Sequence, residues 1–168
     1  MSTTILTTKR LIVREFTPDD AGAYYTNNQD DQTRRFMPNH AHATEQEARD
    51  EIDSFIVQYA GPTLPCHWAI VRADGGGLIG HIGIGASELI EGALEPCCAI
   101  SRGNRGQGYA AEAVAAFVPW CKAAFGTAAV YASNDPRNIA SHKTLLKAGF
   151  ILKESNHGDD LCNLYVRQ

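Results

Sequence analysis

The 168-residue sequence has no apolar run approaching the roughly 20 residues that a membrane helix needs, so nothing in it reads as a membrane span. It also lacks a basic excess. The net charge is −4, which argues against a nucleic-acid partner, because such proteins need a basic stripe to neutralise phosphates. That balance still leaves room for a local pocket that holds one anionic cofactor. The five cysteines (Cys66, Cys97, Cys98, Cys121 and Cys162) contain no C-x-x-C pair, and their number is odd. Most lie in apolar stretches, the pattern of buried thiols in a reducing, cytoplasmic protein and not of a disulfide framework. Repeats, low-complexity tracts and Pro/Gly-rich linkers are absent, and no apolar segment follows Lys9 and Arg10 as it would in a signal peptide. The expectation is one domain over residues 1–168, whose 44% hydrophobic fraction supplies a core without metal or disulfides.

Patterning suggests a mixed α/β order. Leu11 to Phe16 reads as a first strand. Thr17-Pro18-Asp19-Asp20 reads as a helix start with a Thr cap, an early Pro and acids in the first turn, leading to Ala21, Tyr24 and Tyr25. Pro38 ends any short helix before it. Thr44-Glu45-Gln46-Glu47 is a capping box that opens a helix with Ala48, Ile52, Phe55, Ile56 and Tyr59 on one face. Trp68–Val71 and Leu78–Ile84 are strands joined by the turn Asp74-Gly75-Gly76-Gly77. A strand Glu95–Ser101 then leads into a glycine-rich turn and a long helix, Tyr109–Phe125. Strand Ala129–Ser133, helix Ile139–Lys147 and closing strands Phe150–Glu154 and Leu161–Val166 complete the order.

The chemically informative stretch runs from Arg102 to Ala113, where a strand feeds a glycine-rich turn that opens a helix. Backbone N–H groups at such a helix start form an anion site, and glycine lets a phosphate approach without a Cβ in the way. Arg105 adds positive charge beside it. No Gly-Lys-Ser/Thr follows, so this is not a Walker A loop. A dinucleotide fingerprint is literally present from Gly106 to Ala111, but it comes late, with too little chain behind it for further βαβ units. A plain surface turn is the bland alternative.

Four segments together resemble the GNAT N-acetyltransferase superfamily, in particular the branch that contains the ribosomal-protein N-terminal acetyltransferases. Thr8 to Asp20 is similar to that branch's opening, and Leu78 to Gly83 to its third strand. Arg105 to Ala113 matches R-G-x-G-Y-A-x-E-A, and Asn138 to Phe150 matches N-x-x-S…L-x-K-x-G-F. Two positions depart: the leading Gln/Arg of the phosphate motif is Gly103, and the tyrosine many relatives use as a general acid is Leu145.

The resemblance implies a GNAT fold with two parallel strands, Glu95–Ser101 and Ala129–Ser133, that splay to admit acetyl-CoA. It implies that the backbone of Ala99, Ile100 and Ser101 pairs with pantetheine. The N–H groups of Arg105, Gly106, Gln107, Gly108, Tyr109 and Ala110 would hold pyrophosphate, and Asn138 and Ser141 would reach the thioester side. Asn138 reads equally well as a helix cap. Glu95 is the candidate base for the acceptor amine and Ser141 the candidate proton donor, while Glu112 reads as structural. Phe36, Met37 and His40 would wall the acceptor, either a protein N-terminus or a small amine such as a polyamine, amino acid or aminoglycoside. A non-catalytic acyl-CoA sensor is the reading from another class. His40, His42, His81 and His142 show no ligand spacing, so no metal is assigned. Relatives occur as monomers and homodimers.

Overall fold

The computed structural model describes residues 2–61, 63–157 and 162–168. Its strands are β1 (Thr4–Thr7), β2 (Leu11–Arg14), β3 (Cys66–Arg72), β4 (Leu78–Ala86), β5 (Leu94–Ile100), β6 (Val130–Asn134), β7 (Ile151–His157) and β8 (Cys162–Arg167). Its α-helices are α1 (Ala21–Asn27), α2 (Asp31–Phe36), α3 (Glu45–Gln58), α4 (Tyr109–Phe125) and α5 (Ile139–Lys147). The strands form one mixed sheet in the order β1-β2-β3-β4-β5-β6-β8-β7. The expected order is therefore present with two additions. Thr4–Thr7 pairs with β2 as a hairpin, and Asp30 caps the short helix α2 by accepting from Gln32 N–H and Thr33 N–H. The last strand was expected from Leu161, a residue outside the described ones.

All pairings are antiparallel except that of β5 with β6, which is parallel and limited to one register pair, Leu94↔Val130. Beyond that pair the two strands part. The Glu95 carboxylate crosses the opening there and accepts from Ser133 N–H at 2.7 Å and Ser133 O–H at 2.6 Å.

The sheet is covered on both faces. On one, Phe117 and Trp120 of α4 meet Trp68 of β3 edge to face, within a core that includes Ile70, Ile82, Ile84, Val114 and Val130. On the other, Phe16, Tyr24, Ile52 and Phe55 close α1 and α3 over Ala69. Helix α4 continues through Pro119, which has no N–H for the carbonyl four residues back. That carbonyl, Ala115 O, accepts instead from the Arg167 guanidinium at 3.0 Å, so β8 repairs the gap. No helix among the described residues is long and apolar enough to cross a membrane.

Candidate active site

A cleft of about 800 Å³ opens where β5 and β6 part. Its floor reaches from Gly106 and Gly108 at the start of α4, past Cys98 and Ile100, to Glu95 and Cys97.

At the α4 end, Gly106 and Gly108 adopt φ of +76° and +82°, which L-residues with a Cβ rarely reach. The first bond of the helix ladder runs from Glu112 N–H to Gly108 O, and Gly106 to Ala110 have no backbone acceptor among the described residues. These are unspent donors at the positive end of a 17-residue helix, with open space around the Gly106 Cα. A pyrophosphate fits that arrangement. Arg105 plays another part than the expected fixed charge. Its guanidinium forms a two-pronged pair with Asp30 at 2.7 and 2.8 Å and also reaches Ile100 O at 2.6 Å. That pairing holds the Asp30 carboxyl well below the usual carboxylate range. Arg105 is thus a strut from the turn to the cap of α2, and its N–H already leans on Arg102 O at 3.4 Å. Lys143 and Lys147 of α5 line the cleft and form no ion pair among the described residues, so they are the free cations here. Sequence reasoning passed over both, because lysines on a helix surface carry no signal of their own.

Glu112 anchors the helix. It accepts from Thr8 O–H at 2.6 Å, Arg10 N–H at 3.1 Å and the Arg10 guanidinium at 2.6 Å, while Arg10 also donates to Gln107 O. Every acceptor bond to it comes from the β1–β2 turn.

Along β5 the ladder decides which backbone groups face the cleft. Ser101 N–H donates to Ile79 O and Ser87 N–H to Ala93 O, so odd-numbered residues of β5 turn to β4. Even-numbered residues, Cys98 and Ile100, turn to the opening. Of the expected trio, only Ile100 faces the notch. Ala99 and Ser101 turn their N–H groups to β4, while Cys98 turns its own to the opening.

On α5, Asn138 is the cap: its Oδ1 accepts from Ser141 N–H at 3.1 Å. Ser141 lines the cleft, and its hydroxyl has no partner among the described residues. Leu145 is buried beneath it. A buried hydroxyl joins α5 to β6: Tyr165 O–H donates to Asn134 Oδ1 at 3.2 Å and lies 2.7 Å from His142 Nδ1. Glu95 holds a third donor, Ser87 O–H at 2.9 Å.

The far end of the cleft holds a group that the sequence spacing conceals. Register places His67 of β3, Gly83 of β4 and Cys97 of β5 in one row on the α3 face. Because Gly83 has no side chain, the His67 ring lies across it, and His67 Nε2 reaches Cys97 Sγ at 3.3 Å. A Cβ at position 83 would lie 2.3 Å from His67 Cδ2. His40, expected as an acceptor-wall residue alongside Phe36 and Met37, joins this group from the turn after α2, and the donor atoms of His40, His67 and Cys97 lie within 4.8 Å of one another. Glu51 of α3 reaches His40 Nδ1 at 3.3 Å and His42 Nε2 at 2.7 Å, and Tyr24 O–H donates to Glu51 at 2.6 Å. Burial pushes the Cys97 thiol up, but His67 and His40 outweigh it and bring it down to about 6. Burial opposes charge on His40, yet Cys97 and Glu51 raise it to about 9. Glu51 falls to about 2 against its own desolvation, through His40, Tyr24 and His42. His81, fully enclosed, is driven far below the usual histidine range by burial and by its imidazole neighbours.

Over residues 10–151 the chain matches the model of the acetyltransferase (GNAT) domain, and it belongs to that family. It is 30% identical over 146 residues to the uncharacterized N-acetyltransferase YoaA of Bacillus subtilis, covering 87% of this chain and 82% of the relative. The fold is shared with the ribosomal L7/L12 alpha-N-protein acetyltransferase RimL in complex with coenzyme A, at TM-score 0.79 and 15% identity, covering 98% of this chain and 97% of the other. It is shared as well with the microcin C7 self-immunity acetyltransferase MccE in complex with acetyl-CoA and AMP, at TM-score 0.77 and 12% identity, covering 95% and 93%. The chain is an acyltransferase that uses acetyl-CoA.

Proposed function

We propose that the chain moves the acetyl group of acetyl-CoA directly onto a primary amine while both substrates occupy the cleft. One observation carries this reading: a single cleft joins the unspent N–H groups at α4 to an acceptor end lined by the carboxylates of Glu88 and Glu95. Carboxylates in the cleft attract an ammonium, and Glu95 suits its deprotonation, the step an amine needs before attack. Acetyl-CoA supplies the activated acyl thioester. Gly106 to Ala110 hold its pyrophosphate, and the backbone of Cys98 and Ile100 aligns the pantetheine arm as an added strand. Glu95, held rigid by Ser133 and Ser87, retains one of about four acceptor positions and takes the amine proton through water. Ser141 directs its free hydroxyl at the leaving sulfur, which needs only mild assistance because a thiol of pKa about 8.5 leaves readily.

The acceptor is a protein N-terminus or a small amine, and a panel of both, read by release of free thiol from acetyl-CoA, tests the proposal. Turnover with at least one amine is the expected result, falling tenfold or more in Glu95→Gln at neutral pH and recovering at high pH. Tight cofactor binding with no turnover on any acceptor would replace the transferase with a sensor of acyl-CoA.

A further inference from the structure

We propose that His40, His67 and Cys97 form a binding site for a divalent transition metal of the zinc class at the acceptor end of the cleft. The sequence expectation of no metal rested on the spacing of histidines along the chain. Here the ligands come from three separate elements: the turn after α2, β3 and β5.

The donor set is two imidazoles and one thiol, the chemistry that selects zinc and its neighbours over magnesium or calcium. The His67 Nε2 to Cys97 Sγ separation of 3.3 Å is close to the edge of a tetrahedron with Zn–S of about 2.3 Å and Zn–N of about 2.0 Å. All three donor atoms lie within 4.8 Å of one another, so one ion spans them with small side-chain movement. Outer contacts orient both rings, by hydrogen bonds for His40 and by packing for His67. Glu51 and Tyr24 hold His40 Nδ1, which leaves Nε2 as the free donor, the carboxylate–histidine arrangement that orients metal-binding imidazoles. Phe55 stacks on the His67 ring at 4.6 Å and Gly83 gives it room, so its plane is fixed before any ion arrives. His67 and Cys97 both line the cleft, so a fourth position faces the space an acceptor enters. On binding, the ion takes the place of the proton that Cys97 and His40 hold between them, and that proton passes to solvent. This site is independent of acetyl transfer and adds to the proposed function without resting on it.

The test uses the whole chain, stripped with a chelator and titrated with Co2+ and then Zn2+ against a chromophoric competitor. One equivalent should bind, and Co2+ should give the intense near-ultraviolet thiolate-to-cobalt band with four-coordinate visible absorption. Cys97→Ser should abolish the thiolate band, His67→Ala should weaken affinity by tenfold or more, and Cys98→Ser should leave both unchanged. Glu51→Gln, one shell out, should weaken affinity by about tenfold. A zinc-edge absorption measurement on the unaltered chain needs no variant and should return one sulfur at about 2.3 Å and two nitrogens at about 2.0 Å. Absence of stoichiometric uptake, a thiolate band that survives in Cys97→Ser, or a zinc shell without sulfur would each overturn the site.

Discussion

Cys97 and Cys98 are neighbours on one strand, and the sheet sends them into different chemistry. Cys98 turns toward α4 and packs against the core that holds Trp68 and Phe117, where burial pushes its thiol up. Cys97 turns toward α3 and meets His67 and His40, which draw its thiol down to about 6. A two-residue period separates a sulfur whose thiol is pushed up from one whose thiol is drawn down. The α4 face is apolar and gives rigidity. The α3 face carries buried imidazoles and a carboxylate, with the cleft opening onto it.

Of the three glycines on β4, Gly80 and Gly83 lie on opposite faces, and these two give the largest test of the contrast. At Gly80 a Cβ would lie 2.1 Å from Ala99 O, a backbone atom that cannot step aside. Gly80→Ala should therefore cost about 3 kcal/mol or more, the upper end of overpacking, in denaturant unfolding. Next comes reactivity. With chelator present at pH 7, iodoacetamide should modify Cys97 about 100-fold faster than Cys98, read by peptide mass spectrometry, with the Cys97 rate rising through a midpoint of about 6. Equal rates would erase the distinction between the faces.

At Gly83 the obstacle is a ring and not backbone, so Gly83→Ala should cost less, about 1–3 kcal/mol. It should also slow Cys97 alkylation by parting the thiol from His67. The smallest effect concerns the ion pair below the α3 face. Asp20 accepts from Arg14 at 2.7 and 2.8 Å, and although burial opposes its charge, Arg14 and Thr17 hold it below the usual value of 3.8. A lowered carboxyl stabilises the fold above its unfolded pKa, and that contribution is lost as pH falls through the folded one. Asp20→Asn should thus melt lower than the natural chain at pH 7, with the gap closing as pH drops below about 3.9.

The glycine-rich end of the cleft was largely legible as a turn and helix start because its signal is local. Gly106, Gly108 and the start of α4 are consecutive in sequence, and a helix entered through positive-φ glycine needs no distant partner to be recognised. Helices α3, α4 and α5 were read nearly to the residue from caps and periodicity. The cluster at the far end of the cleft was not legible, because His67 and Cys97 meet only through strand register and His40 joins them from the turn after α2. No spacing rule connects them, and the decisive residue, Gly83, looks in sequence like an ordinary strand glycine. The parity of β5, which turns Ala99 and Ser101 to β4, was not legible either: a motif locates the strand but not which of its N–H groups the neighbour takes. Arg105 was identified as a charge, and only the fold shows that Asp30 has claimed it.

The glycine-rich turn before α4 is braced by residues far away along the chain. Arg105 grips Asp30 across a separation of 75 residues, and Arg10 grips Gln107 across 97. Such long loops close late, since their entropy must be met before the contacts can reward it. The segment from Arg102 to Ala113 taken alone as a peptide would therefore have the glycines and none of the scaffolding. On the proposed reading, the turn takes its cofactor-holding shape with the first thirty or so residues docked on the second half of the chain, so coenzyme A binding during refolding would report that docking.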